Sequence, residues 1–182
     1  VGENEVVSKL APEVQAEAYR SPRSVPFLQP LLSSIPQLAT WDAPSISSET
    51  SRKESLGIFQ RYWANPSNGT KEANGTYFTY SYSGVDFIFI DTYTYRDEIE
   101  QSTILGEIQM AWLQDALSQS SAKFKVLLSG SSWTDRSITK KNTWTAYSED
   151  RNGLFHYIRA KIKSKALCYC PATMMKLKSK RF

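Results

Sequence analysis

One histidine in 182 residues, two cysteines separated by a single residue, and no apolar run of bilayer length set the first limits on this chain. A membrane-crossing helix requires roughly 20 consecutive apolar residues, and the sequence offers none. The lone histidine, His156, falls inside a helical pattern between the apolar positions Phe155 and Ile158 and reads as a surface or satisfied side chain rather than a ligand. Cys168 and Cys170 stand too close for an ordinary disulfide and lack the second ligand pair of a zinc site, so they do not reveal a redox compartment. A secretory apolar core is also missing, and the chain starts at Val1 rather than Met, which reads as a processed or incomplete chain.

Acidic residues are missing from the last twenty positions, where Lys163, Lys165, Lys176, Lys178, Lys180 and Arg181 gather. The overall charge of +4 therefore comes from the tail, and the rest of the chain is net negative. Nucleic-acid binding needs a basic patch on a folded face, and a basic tail on an acidic body does not supply one. The composition that remains, 41% hydrophobic and 13% aromatic, is enough to fill the core of about one domain.

The clearest buried strand is Val85-Asp86-Phe87-Ile88-Phe89-Ile90, which ends in Asp91 and runs into Thr92-Tyr93-Thr94-Tyr95-Arg96. Loops at the carboxyl ends of such strands carry the chemistry of α/β proteins, so Asp91 and Arg96 are candidate site residues, against a plain turn-capping role for Asp91. The preceding Tyr77 to Tyr82, with Ser83-Gly84 as a two-residue turn, makes a β-hairpin with it. A second strand-then-acid pattern ends at Trp41-Asp42.

The spacing around Pro12 to Leu32 predicts two short helices broken near Ser21-Pro22. Leu56, Phe59, Tyr62 and Trp63 predict a helix capped by Ser47 or Ser48 and stopped before Pro66. Ile108, Trp112, Leu113, Ala116 and Leu117 predict one face of a helix starting near Gly106. Lys123 to Leu128 predicts a strand parallel to the first, and Glu149 to Ile162 a last amphipathic helix. No clean strand is expected in Ala166 to Phe182. Asn68-Gly-Thr70 and Asn74-Gly-Thr76 are glycosylation sequons, and equally the Asn-Gly pairs that tight turns favour. Ser131, Ser132 and Asp135 invite a nucleophile reading, but no histidine base accompanies them. Trp133, Trp144 and Tyr147 either wall a cleft or fill a core.

Several pieces occur in one consistent order: Leu38-Ala-Thr-Trp-Asp42, Lys53-Glu-Ser-Leu, Arg61-Tyr-Trp-Ala-Asn-Pro66, Val85-Asp-Phe to Asp91, Tyr95-Arg-Asp97, Leu105-Gly-Glu, Trp112-Leu, Ser129-Gly-Ser and Trp133. As a set they resemble the PhoD-like alkaline phosphatases from about Ser21 to Ile162. The resemblance implies an α/β fold, a calcineurin-like metallophosphatase sandwich, here incomplete, with a mixed sheet and flanking helices over 1–162. A basic, Cys-containing tail over 163–182 then stands outside that fold, disordered or not native to it. The implied chemistry is metal-assisted hydrolysis of phosphomonoesters or phosphodiesters, with calcium, iron, manganese or zinc held by carboxylates and imidazoles. Carried over residue by residue, Asp42 is the implied metal ligand. Glu3, in Gly2-Glu3-Asn4, is a further candidate ligand, and Asp91 and Arg96 are implied on the substrate side, facing a phosphate-ester small molecule.

The chain departs from that pattern where the chemistry would sit. After Trp41-Asp42 it continues Ala43-Pro44-Ser45, without the second acid and histidine of the family's run or the Asn that follows. Tyr93 stands where an arginine is frequent, and the late Ser-Gly-Asp-Arg-His run has no counterpart. The expectation is a weakly active or inactive hydrolase. Two alternatives are a non-catalytic phosphate-ester-binding protein and an incomplete gene product with an unstable, edge-exposed sheet. Sequons and family habit lean toward an exported protein.

Overall fold

The computed structural model describes residues 12–41, 49–134, 143–162 and 167–171. The expected metal ligands Asp42 and Glu3, the expected helix caps Ser47 and Ser48, and Asp135 lie outside these residues. Helix α1 is Pro12–Arg23, followed by a 3-10 turn at Pro26–Leu28, α2 at Gln29–Ser34, and α3 at Glu49–Tyr62. The hairpin strands β1 (Phe78–Tyr82) and β2 (Val85–Ile90) come next, then α4 (Gly106–Gln119), β3 (Phe124–Ser129), α5 (Ser148–Lys161) and β4 (Leu167–Pro171).

The four strands form one mixed sheet in the order β1-β2-β3-β4. The first pair is antiparallel, and the turn between its strands places Ser83 at φ 50° and Gly84 at φ 78°. Two successive left-handed residues match the twist of a two-residue hairpin, which is why Ser-Gly serves there. Strand β3 runs parallel to β2, with Ile88 opposite Leu127 and Ile90 opposite Ser129. Strand β4 then runs parallel to β3. The expectation of no strand after α5 is thus corrected. Leu167-Cys-Tyr-Cys alternates small and large side chains of good strand-forming type, a pattern easily passed over in so short and basic a neighbourhood.

One face of the sheet carries Ile88, Ile90 and Leu127 into the main core, where Leu113 and Leu117 of α4 and Leu154 of α5 pack with Ile104, Leu105, Trp133, Trp144 and Tyr147. Trp133 and Trp144 stack at 4.4 Å between ring centroids, so these aromatics fill a core rather than wall a cleft. The opposite face bears the cross-strand rows Phe78-Phe89-Leu128 and Tyr80-Phe87-Val126. A second cluster joins Trp41, Leu56, Phe59 and Tyr93, with Tyr19 and Trp63 against it, and holds α1 and α3 beside the end of β2.

Two more expectations change. Helix α1 runs through Pro22 and stops at Arg23, because a proline so near the carboxyl end removes one hydrogen bond without breaking the turns before it. Residues 36–41 form no ladder. Instead the side chain of Asn65 accepts from Ala39 N–H at 3.1 Å and donates to Ala39 O at 2.8 Å, and Thr40 Oγ1 donates to Ile90 O at 3.0 Å. Side-chain groups do for this segment what a neighbouring strand would otherwise do.

Candidate functional site

The carboxyl end of β2 is organised by a residue that alternation alone would not place. Gln109, in the first turns of α4, is 1% exposed. Its Oε1 accepts from Asp91 N–H at 2.8 Å, and its Nε2 donates to Asp91 O at 2.7 Å. The amide thus takes over both backbone groups of Asp91 where the strand ends and the sheet can no longer satisfy them. It stands four residues before Leu113 and eight before Leu117, so it shares their buried face. Ile108, expected on that face, is 47% exposed.

Asp91 itself is fully buried. Its Oδ1 accepts from Trp41 Nε1 at 2.8 Å and from the backbone N–H groups of Tyr93 and Thr94, each at 2.9 Å. Its Oδ2 accepts from Thr76 N–H at 2.8 Å and Thr94 Oγ1 at 2.5 Å. Five donors converge on two oxygens, which ties the Trp41 segment, the β1 approach and the turn after β2 into one unit. Gly75 is required beside it, since a Cβ there would lie 2.8 Å from the Tyr77 ring and 3.1 Å from Asp91 Oδ2. Of the two residues read as facing substrate, Asp91 is therefore committed to the chain itself.

Arg96 is different. It is 3% exposed, and its Nη2 donates to Glu98 Oε1 at 2.9 Å, but its Nε and Nη1 are buried with no hydrogen-bond partner. Arg52, from the first turn of α3, brings a second guanidinium. Its Nη1 donates to Arg96 O at 2.9 Å, its Nη2 lies 3.2 Å from the same Glu98 oxygen, and its buried Nε also lacks a partner. Both guanidinium carbons lie over the Tyr93 ring, at 5.2 Å for Arg52 and 5.0 Å for Arg96. Tyr93 thus serves as an aromatic rest for two cations.

Leaving a buried donor without an acceptor costs about 1–3 kcal/mol, so three such nitrogens are a costly arrangement. Nearby Asp97 does not relieve it, because its carboxylate accepts from the N–H groups of Ile99, Glu100 and Ser102 and from Ser102 Oγ. Those bonds, the one from Ser102 Oγ foremost, hold its carboxyl below the ordinary value. Buried Tyr147 feels the same group of charges: burial raises its phenol, against a smaller opposing effect of Arg96. Sequence reasoning missed Arg52. The available signal was its place four residues before Leu56, a charge on an otherwise buried stripe of α3.

The remaining candidates are structural. Ser131 Oγ is hydrogen bonded to Thr92 Oγ1 at 2.8 Å, and Ser129 Oγ accepts from Trp144 Nε1 at 3.0 Å. His156 is exposed on α5. Among the described residues, no group of three or more His, Cys, Asp or Glu side chains could hold a metal ion. The described carboxylates near the end of β2 are committed to N–H and O–H donors or to arginines, and do not fit a metal centre.

The family pattern of the PhoD-like phosphatases matches residues 56–167. The solved structure of PhoD superimposes with a TM-score of 0.52 at 21% identity, over 65% of this chain and 27% of that chain. This chain thus spans about a quarter of that protein, and the likeness shows a shared fold. No curated protein matches. Since the matched region takes in most of the sequence and includes β2 and Arg96, the chain belongs to the PhoD-like phosphatase family.

Proposed function

We propose that this chain is a phosphoric-ester hydrolase by descent which recognises phosphate esters and turns them over weakly or not at all. The carrying observation is the pair Arg52 and Arg96 at the carboxyl end of β2, with three buried guanidinium nitrogens that no acceptor meets among the described residues. A phosphoryl group is the acceptor for which guanidinium geometry is best suited. In this reading Asp91 positions the 92–96 turn and Arg96 is the substrate-side group. In the same reading the scaffold is of the calcineurin-like metallophosphatase type, with a mixed sheet and flanking helices.

Asp42 is the proposed metal ligand, with Glu3 a weaker candidate, and calcium, iron, manganese or zinc the ions the family implies. When bound, such an ion supplies Lewis-acid polarisation and an activated water. The described residues do not complete such a centre, and this is why turnover is expected to be low. The chain's only histidine, exposed on α5, adds no imidazole there.

The test is hydrolysis of an aryl phosphate monoester and diester by the purified chain with each metal in turn, beside Asp42→Ala. Little or no turnover from a folded sample is the expected result. Metal-dependent turnover that disappears in Asp42→Ala would show a working centre and defeat the low-activity reading. A sample that is unfolded would favour the incomplete gene product instead.

A further inference from the structure

We infer that Arg52 and Arg96 form a metal-independent site for a tetrahedral oxyanion, a phosphoryl group, and that Glu98 is the resident carboxylate such a ligand displaces. The choice of ligand rests on the phosphate-ester reading above; the site itself rests on geometry. Two guanidinium groups share a single carboxylate oxygen, so among the described residues one positive charge in the cluster has no counter-charge. Each guanidinium is fixed from other directions. Tyr93 lies beneath both, and Arg52 is locked to the backbone of Arg96.

The cluster is graded from outside to inside. The Glu98 side chain is 40% exposed, that of Arg52 18% and that of Arg96 2%. Glu98 therefore stands at the mouth, and departure of its side chain opens the way to the inner donors. A carboxylate contributes one oxygen here, whereas a phosphoryl group presents three or more around a tetrahedron. It can keep the two Nη2 contacts and also reach Arg52 Nε or Arg96 Nε and Nη1, which now have no acceptor. Asp97 is not a competitor, since Ser102 and the N–H groups of 99–102 already occupy it.

The experiment is calorimetric titration of the full chain with inorganic phosphate in a buffer containing a chelator, with phenyl phosphate as competitor. Wild type, Arg52→Gln, Glu98→Gln and a distant surface control, Arg20→Gln, are compared, each shown to be folded. Saturable one-site binding is expected, weakened about tenfold or more in Arg52→Gln, where a charge-assisted pair is lost. Binding should tighten roughly threefold or more in Glu98→Gln, where the competing negative charge is gone, and stay unchanged in Arg20→Gln. A merely structural salt bridge would not make Glu98→Gln bind better. Competition by phenyl phosphate assigns the site to esters, and its failure assigns it to free phosphate; either is an oxyanion site. No saturable binding, or equal binding by Arg52→Gln, or weaker binding by Glu98→Gln, would overturn the inference. Because no metal is present, these results are independent of any turnover at Asp42.

Discussion

Asp91 shows how a single side chain can fix the geometry of a whole loop. Replacement by Asn keeps the shape but turns an NH2 toward donors such as Thr76 N–H and Thr94 Oγ1, leaving buried groups opposed. We expect Asp91→Asn to lower stability by about 3 kcal/mol, read as a shifted urea midpoint. Asp86 behaves differently, because it is only partly buried. The Ser120 hydroxyl first, then that of Ser81, hold its carboxyl below the ordinary value. A depressed carboxylate contributes stability above its unfolded value of about 3.9 and loses that contribution as pH falls through its folded value. Asp86→Asn should therefore lose less stability than wild type between pH 6 and pH 2.5, and an equal loss would remove Asp86 from the acid response. At this scale the sequence was partly legible. Asp91 announced itself as the polar end of an apolar run. Gln109 and Arg52 did not, because a polar residue on a buried helical stripe looks like noise until its partners, eighteen and forty-four residues away, are known.

Elements were legible where local chemistry decides them. The Ser83-Gly84 hairpin, β3 and α5 follow from turn residues and spacing and form within about two residues of expectation, α4 starts at Gly106 as expected, and α3 ends at Tyr62, short of Pro66. Elements decided by distant groups were not. The 36–41 segment looked like a strand yet is held by Asn65 and Thr40 side chains, and β4 looked like tail yet pairs with β3. The facing of α4 gives a direct check. Leu113 is fully buried and Ile108 half exposed, although five-residue spacing can place both on one broad apolar face. Leu113→Ala should cost about 3 kcal/mol through lost packing and a residual cavity, while Ile108→Ala should stay within about 0.5 kcal/mol. Equal losses would mean that the helix is rotated from the orientation described.

For the molecule as a whole, the family's scaffold and the family's chemistry separate. The sheet, its α4 and α5 layer and the α1–α3 cluster bring the end of β2 to a well-supported edge. What converges there among the described residues is cationic and aromatic rather than a set of metal ligands. Order of motifs along the chain made the fold readable; the site was readable only in part, because Arg96 follows the β2 run that drew attention to it, whereas Arg52 comes from the distant α3. The most direct measurement is a single-turnover experiment with the folded chain in excess over a chromogenic phosphate monoester, with manganese present, following ester bound and phosphate released. The account predicts that the ester is retained by the protein and recovered intact. Prompt release of phosphate at the rate of binding would contradict it.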